Sequence, residues 1–108
     1  MSSKKKQSNK SSSSSAAEVQ KTVGRSPVFE PEFREDLAWC YKKDIHKANK
    51  VLDLVEDILN NPFTGIGKPE PLKYLDPNTW SRRIDREHRV VYRVTHDRID
   101  FLQARYHY

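Results

Sequence analysis

This chain has a single cysteine, Cys40, so no disulfide can form within it and no cysteine-rich metal site can be built. Its apolar helical neighbourhood predicts a buried, inert thiol. The chain also lacks any apolar run near the roughly 20 residues that a membrane-crossing helix needs. Its lysine-rich start has no apolar stretch behind it, so the pattern of a secretory signal is missing. The expected compartment is therefore cytoplasmic, with no membrane partner. At 108 residues there is room for one small domain.

Net charge is missing where a basic nucleic-acid-binding module would carry it. Residues 1–26 hold six basic side chains and one acidic, a net of +5. Residues 27–108 hold 14 of each sign, a net of zero. Within that part, residues 27–67 have five basic and eight acidic groups, and residues 68–108 have nine and six. A polyanion is drawn to the second half, by a modest field.

Residues 1–26 are of low complexity. An unbroken serine run, Ser11 to Ser15, lies beside a lysine cluster, and such a segment is expected to be disordered. It admits three readings: a dispensable tail or linker, a nonspecific anchor to RNA or ribosomes, or a start assigned upstream of the true one at Val23 or Val28.

Residues 27–108 read as one α+β domain. Val28-Phe29 is a short strand with Pro27 at an edge. Pro31 opens a helix as its first residue, and Phe33, Leu37, Cys40 and Tyr41 recur at helical spacing. Asp44 is the predicted N-cap of a second helix. There Ile45, Ala48, Leu52, Val55 and Leu59 step by three and four, widened by Val51 and Ile58. Asn60-Asn61-Pro62 ends it. The polar faces, with Lys42, Lys47, Lys50, Asp53, Glu56 and Asp57, read as solvated surface. Residues 62–79 are an ordered loop with a short strand near Leu72. Strands follow at Ser81 to Asp85, Arg89 to Val94 and Ile99 to Tyr106. This order predicts an N-terminal strand and a two-helix hairpin packed on one face of a small antiparallel sheet.

The uncovered face can hold a site. Strand alternation puts Arg89, Val91 and Arg93 on one face, opposite Val90, Tyr92 and Val94. In the last strand Ile99, Phe101, Gln103, Arg105 and His107 oppose Leu102, Ala104, Tyr106 and Tyr108. Arg83, Arg89 and His107 converge if the register allows. Glu70 stands between Pro69 and Pro71, whose rings restrict its backbone. Singly, these residues read as an exposed terminal histidine, strand-surface arginines and a loop carboxylate. Together they are the parts of a metal-free ribonuclease site. RNA carries its own nucleophile, the 2′-OH. A carboxylate takes that proton, an imidazolium protonates the leaving 5′-oxygen, and arginines stabilise the phosphoryl oxygens.

Five blocks carry a family resemblance: Asn61-Pro62-Phe63, Gly65 to Lys73, Trp80 to Ile84, Glu87 to Tyr92, and Arg105 to Tyr108. In this order they resemble the YoeB/Txe toxins of the RelE-like superfamily. Residues 28–61 match in helix pattern only, and residues 1–26 have no counterpart. The resemblance implies a microbial-ribonuclease-like fold and the toxin of a type II toxin–antitoxin pair. It also implies a metal-independent endoribonuclease that cuts mRNA in the ribosomal A site and so inhibits translation. No cofactor is implied. Carried over by position, Glu70 is the general base, His107 the general acid and Arg89 the phosphate-stabilising group. Lys73, Arg82 and Arg83 are RNA or phosphate contacts, and Tyr108 is an active-site aromatic. The implied partners are the ribosome with translated mRNA, a Phd/YefM-like antitoxin and a second copy of the chain. Two rivals remain: a non-catalytic toxin on the same fold, such as the ParE-like gyrase poisons, and a plain RNA- or DNA-binding module.

Overall fold

The computed structural model describes residues 24–106. The expectations for residues 1–23, and for His107 and Tyr108, lie outside the described residues. Ser26 belongs to the first strand, and Arg25 Nε donates to Thr95 O at 2.6 Å.

Strand β1 (Ser26–Phe29) leads into helix α1 (Pro31–Lys43), with Pro31 at its first position as expected. Helix α2 (Ile45–Asn60) follows after one residue. That residue, Asp44, ends α1 and caps α2, its carboxylate accepting from the backbone N–H of His46 and Lys47. Four strands follow among the described residues: β2 (Glu70–Pro71), β3 (Thr79–Arg83), β4 (Arg89–Val94) and β5 (Arg98–Tyr106).

The sheet order is β1-β5-β4-β3-β2. Strands β2 to β5 form the expected antiparallel meander. Strand β1 makes the sheet mixed, because it pairs parallel to β5, from Ser26 opposite Arg98 to Phe29 opposite Phe101. The helical hairpin separates β1 from the meander and supplies the long connection that parallel pairing requires. At the sheet edge the missing N–H of Pro27 is tolerated. Phe29 then stacks on Phe101 at 5.0 Å and meets Phe33 at 5.5 Å, tying β1 to β5 and α1.

Both helices lie on one face of the sheet. Phe33 and Cys40 of α1 are buried there with Ala48, Val51, Leu54, Val55 and Ile58 of α2, over Val90, Tyr92, Ile99 and Phe101. Burial pushes the Cys40 thiol pKa up, as expected of an inert cysteine. The buried stripe of α2 differs from the expected one. It takes in Leu54 and leaves Ile45 and Leu52 exposed. This helix carries apolar residues on more than one face, and the sheet covers the row that includes Val51, Leu54, Val55 and Ile58.

Between α2 and β2 the chain makes a loop anchored on one side chain. Arg82 of β3 is fully buried on the helix-covered face. Its Nε donates to the Tyr92 hydroxyl, Nη1 to Asp57 Oδ2 and Ile66 O, and Nη2 to Asn61 O and Thr64 O. Asp57 also accepts from the backbone N–H of Ile66. Asp57 is therefore not the plain solvated residue that its place on the polar face suggested.

The two loop glycines follow from this packing. Gly65 has φ +136°, and a Cβ there would lie 2.0 Å from Asp57 Oδ2. At Gly67, φ is +79°, and a Cβ would meet Leu54 and the carbonyl of Arg83. That close approach lets Arg83 N donate to Gly67 O at 2.6 Å, which aligns the following residues for pairing with β3.

Gly65→Ala should therefore destabilise the domain by at least about 1–3 kcal/mol, the cost of backbone strain alone. Urea denaturation checks this, and wild-type stability in the variant would contradict the packing. Asp57 supplies a pH test. Its hydrogen bond with Arg82 holds its carboxyl below the usual carboxylate range. A depressed carboxylate stabilises the fold above its unfolded pKa, about 3.9, and that stabilisation is lost as pH falls through the folded value. Wild type should lose stability below about pH 4, and Asp57→Asn should show a flatter profile there. At pH 7 the variant should be weaker by roughly 2–3 kcal/mol, less than for a wholly buried pair because 34% of the Asp57 side chain meets solvent.

Candidate active site

The face opposite the helices is organised by register. Glu70 of β2 stands opposite Ser81, Ser81 opposite Val91, and Val91 opposite Gln103. In the next row Arg83 stands opposite Arg89, and Arg89 opposite Tyr106. Alternation directs these side chains away from the helices. The Glu70 Oε1 and Arg89 Nη1 atoms come within 3.8 Å across β3, longer than the roughly 2.7–2.9 Å of a charged hydrogen bond. Glu70 is half exposed and Arg89 is mostly buried. A carboxylate thus stands at the mouth of the site, with a guanidinium set behind it.

Arg83 is exposed, and it makes no ion pair among the described residues. Two guanidiniums at directly opposed strand positions repel each other. A bound anion would relieve that cost, and their planar forks match phosphate oxygens. Arg93 shares the face but is held by the buried Asp100, at 3.2 Å, which also binds Arg98. The arginine of this face that makes no ion pair among the described residues is therefore Arg83, next to Arg89. Ser81, next to Glu70 in this row, has a buried Oγ with no hydrogen-bond partner among the described residues.

Strand β5 departs from simple alternation. From Tyr92 to Val91 the partner strand advances one residue while β5 advances two, Phe101 to Gln103. From Val91 to Arg89 it advances two while β5 advances three, Gln103 to Tyr106. Each irregularity leaves one extra residue on β5. Tyr106 thereby joins the Arg89 face, which alternation had denied it. Arg105 goes to the helix side and lies 3.7 Å over the Trp39 ring. The Ala104 N–H, displaced from the ladder, donates to Asp36 of α1 at 3.0 Å.

Of the residues expected at the site, Glu70, Arg83 and Arg89 come together. Lys73 sits in the turn after β2, exposed, with no ion pair among the described residues. Arg82 is a correction. It is not an RNA contact, because it is buried on the opposite face with all its nitrogens engaged by the loop, Asp57 and Tyr92. His107 and Tyr108 lie outside the described residues.

Two features escaped sequence reasoning. Leu72 N donates to Thr79 O and Leu75 N returns to Leu72 O, so the segment after β2 folds back beside β3. From it the exposed Tyr74 reaches the end of β5, its hydroxyl 2.9 Å from that of Tyr106. No local pattern signals a contact across that separation. The second feature is the turn after β3. Lys47 of α2 lies 3.0 Å from Asp85 and 3.1 Å from His88 Nδ1, and Asp85 accepts from the backbone N–H of Glu87 and His88. Arg89 follows directly, so its position is referred to α2. The turn also closes β3 at Arg83, two residues before the expected end, because the N–H groups of Ile84 and Asp85 are directed to His88 O.

Among the described residues no group of three His, Cys, Asp or Glu side chains is arranged to hold a metal, and no helix is long and apolar enough to cross a membrane.

Both the sequence and the fold are similar to those of known proteins. Toxin YoeB of Mycobacterium bovis is 46% identical over 84 residues, covering 78% of this chain and 99% of its own. The structure of a YoeB dimer from Staphylococcus aureus superposes with a TM-score of 0.72 at 36% identity, covering 78% of this chain and 98% of its own. A heterotetrameric YoeB–YefM toxin–antitoxin complex from the same organism gives 0.68 at 36%, with the same coverage. A family model for the YoeB-like toxin of bacterial type II toxin–antitoxin systems matches residues 29–108, so the described domain and the chain end together identify this protein as a member of that family.

Proposed function

We propose that this toxin is an endoribonuclease that cuts mRNA at the ribosomal A site and so inhibits translation. The observation that carries this reading is the Glu70 carboxylate beside Arg89, with Arg83 opposite Arg89, on the face the helices leave uncovered. A gyrase poison or a plain binding module has no need of a carboxylate aimed at an anion site, where it would repel a phosphate.

In this mechanism Glu70 takes the proton of the 2′-OH. The freed oxygen attacks the adjacent phosphorus, and the bond to the leaving 5′-oxygen breaks as His107 donates a proton to it. Arg89 and Arg83 stabilise the charge gathering on the phosphoryl oxygens. Lys73 and Tyr108 are further contacts to the RNA. The 2′-OH is the nucleophile, so the step calls for no metal. Residues 27–108 have no net charge, which supports a substrate positioned by the ribosome over one captured from free solution. A YefM-like antitoxin neutralises the toxin and a second copy forms a homodimer, as the two Staphylococcus aureus relatives suggest.

Toeprinting of mRNA on ribosomes tests the activity. The protein should produce cuts in translated mRNA and few in naked RNA; equal rates on both would remove the ribosome from the reading. Glu70→Gln keeps the size but cannot act as a carboxylate base. It should bind ribosomes normally and lower the single-turnover rate by at least about 10²-fold. An unchanged rate would assign the base elsewhere. His107→Gln should also lose most activity, since an amide does not protonate a departing alkoxide. A phosphorothiolate at the leaving position, where sulfur departs without a proton, should rescue this variant selectively. Without such rescue, His107 is not the general acid.

A further inference from the structure

A shallow groove of about 380 Å³ lies between α2 and the end of β3. Four cations line it: Lys50 of α2, Lys68 of the glycine loop, Arg83 of β3 and Arg86 of the β3–β4 turn. None of the four makes an ion pair among the described residues. The carboxylate in the lining, Asp85, is committed to Lys47 and to the backbone of the turn. The groove is therefore a concentrated positive surface on a domain with no net charge.

Its composition selects a ligand. No aromatic side chain lines it, so bases have nothing to stack on. Lysine and arginine side chains suit phosphate oxygens and carry no sequence preference there. Lys68 is also held in place. Its φ of +54° is unusual for a residue with a side chain, and it follows Gly67, whose carbonyl is bound by Arg83 N. The groove and the candidate site share Arg83, the cross-strand partner of Arg89.

We propose that this groove carries the phosphate backbone of the substrate RNA on one side of the scissile bond, with Arg83 as the junction between groove and site. The proposal rests on the reading of Glu70 and Arg89 as an RNA-cutting site, and it adds Lys50, Lys68 and Arg86 as contacts to the flanking nucleotides. These contacts are electrostatic, so they lengthen the footprint on RNA without reading its sequence.

Binding tests this separately from cleavage. The probes are fluorescent RNAs with a 2′-O-methyl group at the cut position: a dinucleotide, and the same dinucleotide extended by four residues on its 5′ or its 3′ side. Dissociation constants are measured by anisotropy over a series of salt concentrations. Wild type should bind one extended RNA more tightly than the dinucleotide, with a salt slope steeper by about 2, as three added phosphate contacts to a single strand require. The triple variant Lys50→Gln, Lys68→Asn, Arg86→Gln should bind the dinucleotide like wild type and lose both the tightening and the added slope. Arg86→Gln alone, at an exposed turn position, should reduce the slope by about 0.7 and guards against misfolding of the triple variant. Wild type with no length dependence, or a triple variant that keeps it, overturns the proposal. So does a triple variant that binds extended RNA normally but ribosomes weakly, which would give the groove to ribosomal RNA. Loss of the cleavage reading would appear instead in Glu70→Gln on translated mRNA, whatever the groove binds.

Discussion

The guanidinium of Arg82 is wholly buried, and its N–H groups meet three loop carbonyls, a carboxylate and a tyrosine hydroxyl. Residues 61–69 have no ladder of their own, so their inward carbonyls need donors from elsewhere. Only arginine brings five donors on one rigid plane. Asp57 balances its charge from α2, and the Tyr92 hydroxyl, which accepts from Arg82, donates on to Pro62 O at 2.7 Å. A buried ion pair of this kind gives little net stability, but removing one member leaves a costly stranded charge. The route of the loop, and so the arrival of Glu70 beside β3, depends on that constraint.

Adjacent arginines have opposite fates here. Arg82 and Arg83 differ by one position in a strand, and successive side chains take opposite faces. The helix-covered face makes the first a packing element. The open face leaves the second beside Arg89, in contact with solvent. The stretch Gly65-Ile66-Gly67-Lys68 divides likewise: its glycines admit a close backbone approach to α2 and β3, while Lys68 lies in the basic groove. Zero net charge on residues 27–108 accordingly hides a strong local field. Near the Glu70 end Lys50, Lys68, Arg83 and Arg86 make no ion pair among the described residues; at the other end Asp100 neutralises Arg93 and Arg98.

Much of the fold was legible because its signals are local. Proline at the first helical position, aspartate between two helices and alternation in β4 act within a few residues. The stripe of α2 was less legible, since its apolar residues outnumber what one face can bury. Composition could not show β1 pairing parallel to β5, because that pairing depends on how the helical hairpin folds back. Nor could it show the two irregularities in β5, which arise from fitting that strand to both β4 and α1.

The residue types of the site, their order and the alternation that separates Arg82 from Arg83 were determined by the sequence itself. Glu70, Arg83 and Arg89 were recognisable there as a set, since their chemistry is intrinsic to the side chains and their spacing is repeated in the family blocks. The tertiary structure alone decided which face the helices cover, and with it that Arg82 is buried and holds a loop. It also decided that Asp57 pairs with Arg82, that Tyr74 meets Tyr106, and that Lys50, Lys68, Arg83 and Arg86 share a groove. Each of these joins residues far apart in the chain or chooses between two faces, and only the packing of helices on sheet makes that choice.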